Sequence, residues 1–196
     1  VYLGSSSGIT WVISTNQTLK QLHGLGFPNS AGAIFPDGKR VLAGYENGVI
    51  RIFDIQKYSP IHTIKTPHSH LKAIVTVDIM HDNSLVVTGS LDSTAKLINP
   101  LSGKVICNFE CGEQQKDDSV TDSVESLSFS KHFPFLATGS LNGWFEIWDI
   151  NTKVKRTKTK VPEGISKIIW PQESPFYVYV AGLDGKLRIF DYRNES

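Results

Sequence analysis

Few residues of this chain have the type and spacing that chemistry needs. The segment Gly4-Ser5-Ser6-Ser7-Gly8 matches the G-x-S-x-G pattern in which a serine, here Ser6, sits on a sharp turn and serves as nucleophile. That geometry requires a strand leading into a helix, whereas the same slot recurs along this chain as a turn between strands. His62, His68 and His70, with Cys107 and Cys111, are the candidates for holding a metal. The cysteines form a lone C-x3-C without a second pair, and the histidines crowd into a loop around Pro67, so solvated or packed side chains account for them. Gly24-Leu25-Gly26 lacks the third glycine and the strand-to-helix setting of a dinucleotide site. No cofactor and no metal are assigned, and the chain reads as a non-enzyme.

The elements that would have to position any such residue follow a repeat. Ser7, Asn47, Asp92, Asn142 and Asp184 each occupy a polar turn position that follows a small residue or glycine and precedes an apolar strand; the steps between them are 40, 45, 50 and 42 residues. Seven residues beyond each lies Ser14, Asp54, Asn99, Asp149 or Asp191, preceded by Ile13, Phe53, Ile98, Trp148 or Phe190. A constant internal offset with variable gaps is the mark of one structural unit joined by loops of unequal length. Asn47-Gly48, Asn142-Gly143 and Asp184-Gly185 offer the positive φ that a tight hairpin needs, so strands flank each of them. Four antiparallel strands fit each period. In the best-defined copy they run over 71–79, 85–90, 94–98 and 104–109, with turns at Asp82-Asn83 and Ser102-Gly103. The stretch Val49-Ile50-Arg51-Ile52-Phe53 is apolar on both faces around one charge, as expected of a strand covered from both sides.

Composition bounds the function. Of 196 residues 40% are hydrophobic and 20% charged, which is ordinary for a globular domain. Lys and Arg total 20 against 19 for Asp and Glu, so no overall field draws the molecule onto nucleic acid or an anionic membrane, and charge-led binding must be local. The sequence holds no apolar run long enough to span a bilayer. Two cysteines suit a reducing compartment, and the expected location is cytoplasmic, with the nucleus as an alternative.

The motifs carry a resemblance. Trp148-Asp149 is a WD dipeptide, Phe53-Asp54 and Phe190-Asp191 are aromatic variants of it, and the chain resembles the WD40-repeat family over essentially its whole length. The resemblance implies an all-β fold, a WD40 β-propeller of about three complete and two partial four-stranded blades belonging to a seven-bladed ring. On that reading residues 1–24 are a partial blade, 25–66, 67–111 and 112–160 are blades, and 161–196 are a second partial blade. The remainder of the ring is expected, because the first residues read as a second strand and the last strand, Leu187-Arg188-Ile189-Phe190, as a third. The Gly-His signature of the family is only approximated, by His23-Gly24 and His70, which weakens any claim to an internal network linking Asp, His and Trp but not the fold. The runs 35–40, 44–48, 50–54, 59–62 and 123–127 resemble more closely the family of angio-associated migratory cell proteins, itself related to a chaperone of a ribosomal protein. That resemblance implies a protein-interaction scaffold, either an adaptor in migration signalling or a chaperone for a basic ribosomal protein.

The repeat also nominates a binding face. Strands alternate direction, so the turn between second and third strands shares a face with the link to the next blade. The residue before each polar turn position reads Ser6, Glu46, Leu91, Leu141 and Leu183, and three leucines in one slot form a candidate contact patch. The link 110–125 lies on that face and carries Glu110, Glu113, Asp117, Asp118, Asp122 and Glu125 against Lys116 alone, complementary to a basic segment of another protein. The basic run 153–160 falls on an outermost strand, where lysines guard an edge against unwanted pairing, and no direct nucleic-acid binding is expected. The alternative to a docking scaffold is a hydrolase using Ser6 or a site completed by further blades.

Overall fold

The computed structural model describes residues 2–3, 10–14, 17–22, 24–65, 69–113 and 122–193. Among them are 18 strands and no helix. The strands are β1 (Tyr2–Leu3), β2 (Thr10–Ser14), β3 (Gln17–Leu22), β4 (Asn29–Ile34), β5 (Arg40–Tyr45), β6 (Ile50–Asp54), β7 (Ser59–Ile64), β8 (Ile74–Ile79), β9 (Val86–Ser90), β10 (Thr94–Asn99), β11 (Lys104–Glu110), β12 (Val124–Phe129), β13 (Phe135–Ser140), β14 (Trp144–Asp149), β15 (Lys155–Lys160), β16 (Ile165–Ile169), β17 (Tyr177–Gly182) and β18 (Leu187–Asp191). They form five antiparallel sheets of consecutive strands: β1 to β3, β4 to β7, β8 to β11, β12 to β15 and β16 to β18. This is the blade pattern of a β-propeller. β4, β8, β12 and β16 lie side by side as the inner strands. Side chains knit them: Asp78 Oδ2 accepts the Phe129 N–H at 2.7 Å, and the Ser126 and Ser128 hydroxyl oxygens accept the Ile168 and Trp170 N–H groups at 2.9 and 3.0 Å.

The period of two in a strand explains how blades share cores. Leu136 of β13 packs towards the β8 to β11 blade with Leu97, Phe109 and Trp148, while its neighbours Phe135 and Ala137 pack the other way with Ile165, Val178 and Val180. Ile50 and Ile52 likewise join Ile74 and Val86, and Phe53 turns back to Leu22 and Tyr45. The expected double coverage of 49–53 is what the structure has, with Ile50, Ile52 and Phe53 all buried.

Glycine on the second strand makes room for the next blade. A Cβ on Gly44, Gly89 or Gly139 would come within 2.7 Å of Ile74 Cγ2, 2.8 Å of Val124 Cγ1 or 2.6 Å of Ile165 Cγ2, each on the first residue of the neighbouring inner strand. The recurrent small-Gly pair is thus a packing requirement as well as a turn signal.

Two details differ from the sequence reading. Positive φ at the second turn falls on Gly48, Ser93, Gly143 and Gly185, one residue after the Asn or Asp, which itself is not left-handed. With Gly48 N–H bonded to Tyr45 O and Tyr45 N–H to Val49 O, the connection is a type I turn closed by a left-handed residue. The first strand of the 67–111 blade also begins at Ile74, not Leu71, because Leu71 is held out of the sheet by the adjoining turn.

Candidate functional site

The second turns and the inter-blade links meet on one face, as the strand directions require. In four blades the tip residue donates its backbone N–H to the link: Glu46 to Pro28 O at 3.1 Å, Leu91 to Ala73 O at 3.0 Å, Leu141 to Ser123 O at 2.9 Å and Leu183 to Gly164 O at 2.7 Å. Each tip is therefore anchored by its backbone, and the side chains of Glu46, Leu141 and Leu183 are left to face outwards. Leu183 is 60% and Leu141 46% exposed, Glu46 is exposed, and Leu91 is half-buried. A Cβ on Gly164 would lie 2.2 Å from Leu141 O and 2.8 Å from Leu183 Cδ1, so bare backbone brings those two tips together. Leu71, 80% exposed in the link beside Leu91, belongs to the same face and was missed by reading tips alone. Its only sequence signal is its place after His70.

Beneath Leu71 and Leu91 lies a buried polar network. His70 Nδ1 is 3.1 Å from Asp92 Oδ2, and its Nε2 is 2.9 Å from Thr88 Oγ1. A carboxylate only accepts, so Nδ1 carries the hydrogen, and Nε2 is left facing the Thr88 hydroxyl. Asp92 also accepts the Leu71 N–H at 2.8 Å and the Thr94 hydroxyl at 2.6 Å. Burial works to raise the Asp92 pKa, but the His70 hydrogen bond and charge, with Thr94 and Leu71, hold it well below the usual carboxylate range. The approximate Gly-His signature weakens the claim to a network of Asp, His and Trp; in this blade its Asp-His part is present, with Ile98 where a Trp would stand. Both ring nitrogens of His70 are engaged, which takes it out of any metal set.

The acidic link is tied down at both ends. Gly112 N–H meets Glu146 Oε2 at 3.2 Å, and Lys158 Nζ donates to Gly112 O at 2.8 Å. Asp122 Oδ1 accepts the Asn142 N–H at 2.9 Å and Oδ2 the Glu113 N–H at 3.4 Å. Gly112 has φ +67 and its missing Cβ would fall 2.2 Å from Asp122 Oδ2, so the two roots of the link touch. Asp122 is 2% exposed, and that corrects its nomination as a contact residue: it anchors the link. Glu113 is exposed, while Asp117 and Asp118 lie outside the described residues. In the last blade Asp184 holds the Arg188 guanidinium at 2.6 Å, and that hydrogen bond sets its pKa at about 2.

The other candidates scatter. Ser6 and His68 lie outside the described residues; the strands on either side of the Ser6 segment, β1 and β2, pair antiparallel with Leu3 opposite Trp11. His62 sits on the outer strand β7 with Nε2 2.9 Å from Leu101 O. Cys111 is buried and Cys107 half-buried, and both pack into one core. The aspartate of the WD dipeptide closes the third turn: Asp54, Asn99 and Asp149 each accept the N–H groups two and three residues on. That explains why Asn99 substitutes without loss of geometry.

Comparison with known proteins places this architecture. The human angio-associated migratory cell protein is 36% identical over 200 residues, covering 97% of this chain and 45% of that protein. The Arabidopsis thaliana WD repeat-containing protein ATCSA-1 is 23% identical over 86% of the chain and 40% of its own length. The chain spans less than half the length of these curated relatives. Among solved structures, Chaetomium thermophilum Sqt1 bound to the N-terminus of the ribosomal protein L10 superposes with a TM-score of 0.84 at 19% identity, covering 98% of this chain and 56% of that one. A Vps8 β-propeller family model matches residues 1–107 and a WD domain, G-beta repeat model residues 113–149, and with these matches the chain belongs to the WD40-repeat β-propellers.

Proposed function

We propose that this chain is part of a non-catalytic docking propeller that captures a basic, partly apolar segment of another protein on the face bearing Glu46, Leu71, Leu91, Leu141, Leu183 and the acidic link. The observation that carries the reading is the anchored, outward-facing tips, with Leu141 and Leu183 exposed, beside a link whose roots are tied at Gly112 and Asp122. Apolar tips supply area and carboxylates supply steering and register, which is how charge complementarity and a small apolar centre divide their roles in recognition. Glu113, Asp117 and Asp118 are the acids of the link assigned to the partner; Asp122 is assigned to holding the link.

The narrower reading is a chaperone of a basic ribosomal protein, working in the cytoplasm with access to the nucleus. It is supported by kinship of fold with Sqt1, crystallised with the N-terminus of ribosomal protein L10. Identity to angio-associated migratory cell protein supports a second reading, an adaptor in cell migration signalling. Calorimetric titration with a peptide of the ribosomal protein L10 N-terminus separates them. Saturable binding that weakens with salt and is lost on Asp117→Lys/Asp118→Lys supports the chaperone; absence of binding, or binding indifferent to both changes, overturns it. A serine-directed covalent probe tests the hydrolase alternative, and labelling of Ser6 would overturn the non-catalytic assignment.

A further inference from the structure

The outer edge of the β12 to β15 blade carries a second surface of opposite sign. β15 is a terminal strand of its sheet, and Lys153, Lys155, Arg156, Lys158 and Lys160 bring five cations to it within eight residues. The outer strands in the same position of the two preceding blades differ. β7 has no Lys or Arg and places Pro60 on its edge, and β11 has Lys104 alone. Edge protection is a need all three share, so a basic row confined to one of them calls for its own cause.

Part of that row is spent internally. The registers Trp144 opposite Lys160, Glu146 opposite Lys158 and Trp148 opposite Lys155 lay three lysines over a Trp-Glu-Trp stripe. Glu146 is fully buried, 2.7 Å from Lys155 Nζ and 3.6 Å from Lys158 Nζ. Lys158 and Lys160 Nζ stand 4.2 and 5.0 Å from the centre of the Trp144 ring, and Lys155 Nζ stands 4.5 Å from that of Trp148. Asp149 reaches Arg156 only at 3.8 Å. Five cations therefore meet two carboxylates, and Lys153 and Lys160 have no carboxylate partner among the described residues. The backbone is also unsatisfied on this side. Val161 N–H bonds Gly143 O at 2.8 Å, so by strand alternation the amides of Lys158 and Lys160 point away from β14.

We propose that the outer edge of β15 docks an acidic, extended segment of a partner protein, which adds a strand to the blade and sets its carboxylates against Lys158 and Lys160, while Arg156 lies on the opposite face over Phe135. Alternate residues of an added strand fall on one face, so the acids recur at every second position. A protein strand fits better than nucleic acid, because both tryptophan rings are already covered by lysines and are not open for base stacking. This surface is independent of the leucine-bearing face.

The test is fluorescence anisotropy of a labelled peptide of about ten residues alternating Glu with Val, titrated with the full chain. Saturable binding that weakens as salt rises is expected. Lys160→Glu, which leaves Lys155 and Lys158 to neutralise Glu146, should weaken it by about tenfold with an unchanged circular dichroism spectrum. Arg156→Glu, on the opposite face, should act in the same direction and less. Methylating alternate amides of the peptide should also weaken it, since the ladder is then lost. No binding at low salt, affinity equal in both variants and the parent, or tighter binding of an oligouridylate of the same length would each overturn the proposal.

Discussion

The β8 to β11 and β12 to β15 blades solve one problem with different atoms. In both, the link entering the blade must be fastened to the second turn, and a buried threonine on the second strand must be satisfied. In the first blade the carboxylate belongs to the turn: Asp92 accepts the Leu71 N–H of the link, and His70 completes the Thr88 contact. In the second it belongs to the link: Asp122 accepts the Asn142 N–H of the turn, and Trp148 Nε1 donates to Thr138 Oγ1 at 3.1 Å. The Asp-His-Trp set of the family is thus divided between neighbours, each keeping the part its own sequence supplies. What the fold demands is the satisfied hydroxyl and the pinned link, not a given residue type. The difference also has a functional side, since the second solution places the root of the acidic link against the turn that bears Leu141.

Breaking the two solutions should cost unequal amounts. His70→Ala strands Asp92 and Thr88 in a buried site and should lower stability by about 3 kcal/mol or more in urea unfolding. Trp148→Phe leaves Thr138 without its donor but keeps most of the ring contact with Phe109, at 4.9 Å, and should cost about 2 kcal/mol. Asp122→Ala should cost about 1 to 2 kcal/mol, and Asp122→Asn, which retains an acceptor for Asn142, about half of that or less. Leu141→Ser with Leu183→Ser should change stability by roughly 0.5 kcal/mol or less, because both side chains face solvent, while weakening capture of a basic segment.

Acid sharpens the contrast. The folded pKa of Asp92 lies below that of the unfolded chain, about 3.9, so its contribution is complete above that value and is lost as pH falls towards the folded one. The stability gap between the parent and Asp92→Asn should therefore narrow below about pH 4. The gap for Trp148→Phe, which involves no titrating group, should stay level over the same range. A gap for Asp92→Asn that holds constant through acid would show that the carboxylate charge contributes nothing there.

The repeat was legible because its period is written in local requirements. A residue able to be left-handed must close each second turn, an Asx side chain must cap each third turn, and a glycine must admit the neighbouring inner strand, so Gly48, Asp54 and Gly44 announce themselves by spacing alone. The turn tips were legible for the same reason, as a fixed offset from the turn. Leu71 and the His70 network were not, since a lone histidine in a loop has no periodic partner and meets Asp92 and Thr88 only through the closing of the link. Asp122 misled in the opposite sense: a carboxylate in an acidic run reads as solvated until the fold brings the Asn142 amide to it.

By itself the amino-acid sequence determined the four-stranded unit, the register of its turns and the face on which tips and links converge, because each follows from short-range sterics and alternation. Tertiary structure alone decided which charges are spent and which remain available. Glu146 is consumed by Lys155 and Lys158, and Asp92 by His70, whereas Lys160 and Glu113 stay exposed. Whether a charge is available depends on neighbours that lie tens of residues away in the chain, and only the packing of one blade on the next brings them within reach.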